Sequence, residues 1–411
     1  MIPRRDRPRP KTRPNRQRSI DQHMKYFLLN RLRPSPRSDE IFKLLLLSNL
    51  RSHDDSKTDV ILEVIWKAIA MKVGLVGFTA VGKSTLFELM TGARPDPSKV
   101  HSGQLAMATL SDPRLDFLAK LHRPKKITPA AVEILDTPGL LRGTHGDNPQ
   151  RLALIREADA FLIVLDGFSS GSDPAEALDA FQEELLFADL GVVTNRAERL
   201  EASVKKPRPD RDAQLKELET VKKVLKALES STPISDLDLT AEEKKPMRSF
   251  GLLTDKPRVV VVNEIQGNPL PKALVAKAPG AIAIDAKLEL ELAQLAPDER
   301  KAFGEEMGIG ELGKDRVIRA AYDAAGIITF FTAGEPEVRG WNVERGGTAV
   351  DAAGKIHTDL ARGFIRAEVT PFDELFQAGS VREAKARNFP KLEGKDYIVK
   401  DGDVMFFRSS V

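Results

Sequence analysis

Short apolar runs rich in β-branched residues punctuate the chain from Met71 onward: KVGLVGF at 72–78, AVEILDTPG at 131–139, AFLIVLDGF at 160–168, RVVVVNE at 258–264 and AIAIDAK at 281–287. Stretches of helical period separate them. Strands alternating with helices predict a mainly parallel sheet with crossover helices, an α/β fold. Between Pro174 and about Phe250 the texture turns helical and charged. Leu185, Leu186, Leu190, Leu200, Leu215, Leu218, Val221, Val224, Leu225 and Leu228 recur about three or four apart, interrupted by Pro207 and Pro209. That pattern predicts an inserted antiparallel helical hairpin whose leucines pack against one another. After about Ala325 the pattern becomes strands and turns (IITFFTA, EVRGWNV, GFIRAEVT, DYIVKDGDVMFFRS), with Gly346-Gly347 and Asp401-Gly402-Asp403 as turn signals. A small α+β domain is expected there.

The predicted organisation is therefore an extension at 1–70, a nucleotide-type α/β domain at 71–173 and 251–324, a hairpin at 174–250 and a terminal domain at 325–411. The extension reads MIPRRDRPRPKTRPNRQRS at its start. It lacks the turn-and-strand pattern of a folded domain, so it is expected to be disordered or weakly helical. Such Arg-rich, acid-poor text resembles a transit peptide or an RNA-binding arm. Met71 stands directly before a strong strand, which favours an overextended gene start.

Composition narrows the chemistry. Of 411 residues 41% are hydrophobic and 30% charged, an ordinary globular balance, and the net charge of +3 is concentrated between Arg4 and Arg18. The absence of cysteine excludes disulfides, thiolate catalysis and zinc-thiolate sites, and suits a cytoplasmic protein. The six histidines show no metal-ligand spacing. No apolar run is long enough to span a bilayer, so no membrane segment is expected.

Gly77-Phe78-Thr79-Ala80-Val81-Gly82-Lys83-Ser84 satisfies G-x-x-x-x-G-K-[ST] between a strand and a helix that opens at Thr85. Backbone amides of such a loop, together with the N-terminus of the helix, face nucleotide phosphates. Lys83 is expected to reach the β- and γ-phosphates and Ser84 to ligate magnesium. Asp136-Thr137-Pro138-Gly139 ends a later strand as D-x-x-G. Asp136 is placed to hold the magnesium shell, and the Gly139 amide to contact the γ-phosphate. Lys83, Asp136 and Gly139 are thus the catalytic candidates. Two further strand ends deliver Asn263 and Asp285-Ala286-Lys287, where Ras-type GTPases carry their base-reading loops. The first of these reads Asn263-Glu264-Ile265-Gln266. Gln266 lacks the carboxylate that accepts from guanine, which weakens strict GTP specificity.

With these residues in place the chain resembles the YchF family, the Obg-like ATPases, over Met71–Val411. The resemblance is carried by GFTAVGKSTLFELMTG, by SDPRLDFLAKLHRPKKITPAAVEILDTPGL and by IREADAF. It is carried above all by RVIRAAYDAAGIITFFTAGEPEVRGWNVERGGTAVDAAGKIHTDLARGFIRAEV with LEGKDYIVKDGDVMFFR. The resemblance implies an Obg-type P-loop domain, a helical insertion and a C-terminal β-grasp (TGS) domain, with ribosome association. It further implies acceptance of ATP as well as GTP, attributed to an N-x-x-E sequence. The positions here are Asn263 and Gln266, so base choice stays open. Leu140 stands where Ras-type enzymes carry the water-orienting glutamine, implying slow turnover helped by a partner or another group. Relatives carry Asn in place of Ala80, so potassium activation is not assumed. The first switch, Ser98-Lys99-Val100-His101-Ser102, lacks the family's threonine, and the stretch LRGTHGDNPQ after Gly139 is shortened.

Arg339, Arg345, Lys355, His357, Arg362 and Arg366, near Phe364 and Trp341, are candidates for ribosomal RNA contact through phosphates and stacking, and equally for solvated charge. His145 is a candidate for polarising water or a bystander. Three functions remain open: a slow ATPase or GTPase switch, a nucleotide-binding regulator without turnover, and a ribosome- or RNA-interaction protein in which nucleotide is structural.

Overall fold

The computed structural model describes residues 71–143, 148–207, 209–265, 269–306 and 313–410. The expectations for the extension at 1–70, for His145 and for Gln266 fall outside the described residues.

The strands in chain order begin β1 (Lys72–Val76), β2 (Gln104–Thr109), β3 (Lys126–Thr128), β4 (Ala131–Asp136), β5 (Ala160–Gly167), β6 (Arg258–Glu264) and β7 (Ile282–Ile284). All but β3 form one sheet in the order β2-β4-β1-β5-β6-β7. Every pairing in it is parallel except β2 with β4. This is the α/β P-loop architecture that the strand–helix alternation predicts. Val73, Leu75, Leu162, Ile163 and Val261 are fully buried at its centre. Helix α1 (Lys83–Thr91) lays the fully buried Leu86 and Phe87 on this core. Each such side chain contributes about 1.5–3 kcal/mol by leaving water. Strand β6 includes Asn263 and Glu264, because its pairing with β5 continues to Gly167 opposite Glu264. Asn263 is therefore a buried strand residue.

Helix α2 (Pro113–His122) starts where the Asp112 carboxylate accepts from Arg114 N and proline fixes the first turn. Helix α3 (Pro149–Ile155) follows the D-x-x-G strand end. Helices α4 (Pro174–Val204) and α5 (Arg211–Glu229) lie on either side of Pro207. Arg196 bonds to Glu217 at 2.6 Å and Lys222 pairs with Glu201 at 2.7 Å across them. Two features differ from the leucine-zippered hairpin expected. The first half of α4 puts Leu178, Phe181 and Leu185 into the core of the sheet, and past Glu229 the chain forms short helical segments rather than a continuation of the hairpin. Leu239–Gly251 belong to a separate compact unit, in which Thr240 and Glu243 form a capping box on helix α6 (Ala241–Met247). Helices α7 (Lys272–Lys277), α8 (Ala286–Ala293), α9 (Pro297–Glu306) and α10 (Gly313–Ala324) complete this part of the chain.

The second sheet is built from β8 (Ile327–Ala333), β9 (Glu337–Glu344), β10 (Phe364–Pro371), β11 (Lys391–Glu393) and β12 (Asp403–Ser409). Its order is β11-β10-β12-β8-β9-β3. The hairpin β8–β9, the parallel β12–β8 pair and the antiparallel β10–β12 pair give the mixed topology of a β-grasp. Helix α11 (Ala349–Ile356) crosses one face, where Ala349, Ala352 and Ala353 pack with Ile328, Phe330, Phe364, Ala367 and Met405.

The last strand of that order comes from the nucleotide half of the sequence. β3 pairs in parallel with β9, Lys126 opposite Glu337 and Thr128 opposite Arg339. Beside it α2 lays Leu115 and Leu118 against Phe331, Val338, Leu375 and Ala384 on the other face of the second sheet. Arg114 bridges Asp112 at 2.7 Å and Asp401 at 2.6 Å at the edge of this contact.

Candidate active site

The loop Gly77–Gly82 leaves the carboxyl end of β1 and feeds α1. Gly82 has φ of 88°, and a Cβ there would run into the Asn263 amide, so only glycine fits. Ala80 also has positive φ, 62°, with a side chain in place; that strain is on the order of 1–2 kcal/mol. The first turn of α1 has no side-chain cap, which leaves amides for an anion.

Lys83 is 6% exposed, and its Nζ donates to the Phe78 carbonyl at 2.5 Å. Burial lowers its pKa to about 8; the Asp136 carboxylate works against that shift and the Arg151 charge adds to it. Ser84 Oγ donates to Asp136 Oδ2 at 2.9 Å. The second carboxylate oxygen, Oδ1, is buried with no hydrogen-bond partner. Burial raises the Asp136 pKa, while Ser84 and Lys83 oppose that shift. An orphaned carboxylate oxygen beside a hydroxyl offers two oxygen ligands suited to a hard cation. Among the described residues no group of three or more acidic or histidine side chains is placed to hold a metal ion.

The second switch lies across the phosphate loop. Thr79 N donates to the Leu140 carbonyl at 3.1 Å, and Leu140 N to that of Gly77 at 3.0 Å. A Cβ on Gly139 would stand 2.6 Å from Thr79 N, so this crossing also demands glycine. The Leu140 side chain is fully buried. Arg151 Nη1 donates to the Gly139 carbonyl. Asn148, fully buried, receives Leu141 N at 3.0 Å, donates to Leu141 O at 3.1 Å and reaches Glu184 on α4 at 3.2 Å. Sequence reasoning missed Asn148, Arg151 and Glu184. Asn148 and Arg151 carry one local signal, their place shortly after a D-x-x-G strand end, and Glu184, on α4, carries none.

Asn263 Nδ2 donates to Val81 O and its Oδ1 accepts from Ala286 N, both at 3.2 Å. It therefore ties the phosphate loop to the third loop. Asp285 caps α8 by accepting from Leu288 N at 2.9 Å, and Lys287 is exposed. Burial, with the Asp285 charge, raises the pKa of the neighbouring Glu264, another residue that sequence reasoning passed over. The first-switch segment is an exposed turn around Pro97–Lys99, and its described hydrogen bonds stay within 96–103.

In the terminal region Phe364 is only 5% exposed and Arg339 lies 3.9 Å over the Trp341 ring. Phe364 is therefore not available for stacking, because the register of β10 turns it towards α11. Phe406, 65% exposed and opposite Glu368, is the aromatic ring presented instead, with Arg366 opposite Arg408 on the same pair of strands.

A pH dependence follows from Lys83. A role for the Lys83 ammonium in binding triphosphate predicts an affinity that is constant below about pH 8 and falls up to about tenfold per unit above it. Isothermal titration in buffers of different ionisation enthalpy should show proton uptake on binding near pH 8. The folded pKa is below the unfolded one, so the buried ammonium costs stability at low pH. That cost is relieved as pH rises from about 8 towards 10.5, the side chain's unperturbed value.

Comparisons with known proteins accord with this geometry. A family model for a 50S ribosome-binding GTPase matches residues 72–196, and a YchF GTPase C-terminal model, described as a protein of unknown function, matches 327–410. The ribosome-binding ATPase YchF of Bacillus subtilis is 36% identical over 84% of this chain and 100% of its own length. The Obg-like ATPase 1 of rice, Oryza sativa, is 36% identical over 83% of this chain and 92% of its own. Among solved structures, the Schizosaccharomyces pombe YchF GTPase superposes with a TM-score of 0.74 at 27% identity, covering 82% of this chain and 97% of that one.

Proposed function

Because the chain belongs to the YchF family, we propose that it is a nucleoside triphosphatase that hydrolyses ATP, GTP or both as a slow, ribosome-associated switch in the cytoplasm. The observation that carries this reading is the Ser84–Asp136 pair beside the uncapped start of α1, with Lys83 behind it and a buried, unpartnered carboxylate oxygen suited to a hard cation. Ser84 and Asp136 would hold magnesium, which would supply neutralisation of phosphate charge. Lys83 exchanges its bond to Phe78 O for phosphate oxygens. The Gly139 amide reads the γ-phosphate, and release of that phosphate returns Leu140 to its bridge with Gly77 and Thr79. Asn263, Asp285, Ala286 and Lys287 line the base end of the site. Residues 71–173 with 251–324 form the nucleotide domain and 325–411 the TGS domain, with 174–250 as an insertion. The terminal sheet contacts ribosomal RNA, its exposed Phe406 and Arg366 supplying stacking and charge.

Phosphate release from ATP and from GTP, measured with magnesium and with or without ribosomes, tests the reading; no release from either nucleotide under any of these conditions sinks it. Asp136→Asn should weaken the magnesium dependence roughly 10- to 100-fold or more. A second reading, binding with little turnover, is favoured by one observation: Leu140 is sequestered and offers no group to orient water. A stimulating partner reconciles the two.

A further inference from the structure

Arg151 stands on α3, just past the second switch, and its Nη1 donates to the carbonyl of Gly139, the glycine that crosses the phosphate loop against Thr79. The hydrogen bonds of Leu140 to Gly77 and Thr79 hold that glycine, and with it the guanidinium, at the rim of the loop. Two further observations bear on what the guanidinium is for. Its charge is near enough to Lys83 to disfavour the ammonium there. No carboxylate among the described residues pairs with Arg151, whereas Arg114, Arg156 and Arg196 each have one. Two cations thus stand beside one phosphate loop, each bonded to a backbone carbonyl, and among the described residues Asp136 is the carboxylate whose charge acts on Lys83. Such a cluster repels itself until a polyanion enters. Fixing Gly139 alone would need neither an unpaired guanidinium nor its nearness to Lys83.

We propose that Arg151 is a further catalytic residue for triphosphate hydrolysis, a cis-acting arginine that meets the γ-phosphoryl group and the β–γ bridging oxygen. The inference rests on the hydrolase reading above. In the reaction a water oxygen bonds to the γ-phosphorus and the bond from that phosphorus to the bridging oxygen breaks. The nucleoside diphosphate keeps the electron pair, and the water proton leaves on inorganic phosphate. Charge gathers on the bridging oxygen as the bond breaks, where the fork of guanidinium N–H groups is best placed to receive it. Leu140, at the neighbouring position, supplies no charge and no hydrogen bond from its side chain. The arginine therefore provides the polar assistance that the second switch itself lacks.

The test compares the full chain with Arg151→Ala and Arg151→Lys in single-turnover hydrolysis, in binding of a non-hydrolysable triphosphate, and in binding of the diphosphate with aluminium fluoride, which imitates the transferring phosphoryl group. The expected result is a fall in rate of about 10³-fold or more in both variants. Affinity for the non-hydrolysable triphosphate should stay within about threefold of wild type, the gain from aluminium fluoride should be lost, and added guanidinium ion should partly restore the alanine variant. An unchanged rate overturns the proposal. So does a rate loss matched by an equal loss of triphosphate affinity and repaired by lysine, the signature of a residue that merely holds Gly139. The lysine variant keeps charge and bulk and so reports even where the alanine variant does not fold. Wild-type protein that binds nucleotide yet releases no phosphate overturns the hydrolase reading together with this inference; normal turnover in both variants overturns the inference alone.

Discussion

Lys83→Ala should abolish productive triphosphate binding while leaving the empty protein folded. Removing a buried, hydrogen-bonded charge from a recognition site costs on the order of 2–5 kcal/mol, a rise in Kd of roughly 30- to several-thousand-fold. The nucleotide-free protein should behave differently. There the Lys83 ammonium is buried, its pKa pulled down to about 8, and among the described residues it is satisfied by its own loop carbonyl and the field of Asp136. Its loss removes a desolvation cost, so the melting temperature without ligand should stay level or rise. Thermal melts with and without magnesium nucleotide check both halves: the ligand-induced upward shift disappears and the baseline does not fall. A variant that lost stability without ligand, or kept its ligand shift, would contradict the assignment.

Leu118→Ala should destabilise the protein markedly from outside the nucleotide site. Leu118 is fully buried where α2 meets the second sheet, among Leu115, Phe331, Val338, Leu375 and Ala384. Truncating a buried leucine costs about 2–5 kcal/mol, the transfer term plus the cavity left behind. Urea unfolding should register that loss as a lower midpoint at unchanged slope. The residue packs in the cluster on the second sheet and not in the core around the phosphate loop, so nucleotide affinity below the transition should change little. An unaltered midpoint would mean that α2 does not bear on the second sheet as described.

The phosphate loop was readable from sequence because its chemistry is local: glycines for tight backbone, lysine and serine at set offsets, a strand before and a helix after. The same holds for Asp136 and Gly139, which strand and turn signals flank. What escaped reading is non-local. β3 is the three residues Lys-Ile-Thr, with no run long enough to announce a strand, and its partner β9 lies more than two hundred residues on. Asn148 and Glu184 meet only because α4 presents one face to the second switch, and helical phase to that accuracy is not written in leucine spacing. In the terminal sheet the choice between Phe364 and Phe406 turns on register. Neighbouring strand residues face opposite ways, and β10 also carries an irregularity between Phe364 and Arg366, so composition alone assigns the wrong ring to solvent. Leu185 reads as hairpin seam by periodicity but is claimed by the larger core beneath α4.

Thr109 and Ala131 are paired neighbours at the ends of β2 and β4, so the chain between them is topologically a single hairpin loop. Loops of that length without secondary structure are uncommon in compact proteins, and the entropy of closing one grows only slowly with its size. Here the loop is ordered by what it touches: α2 and β3 take their place as a layer and an edge strand of the second sheet. Cutting the chain ahead of Ile327 would leave an apolar helix with nothing to lie on and an edge strand with no ladder. The boundary visible in the sequence near residue 325 is therefore a poor place for scissors. Questions about the terminal sheet are better asked with single substitutions on its open face, Phe406 first, than with a fragment.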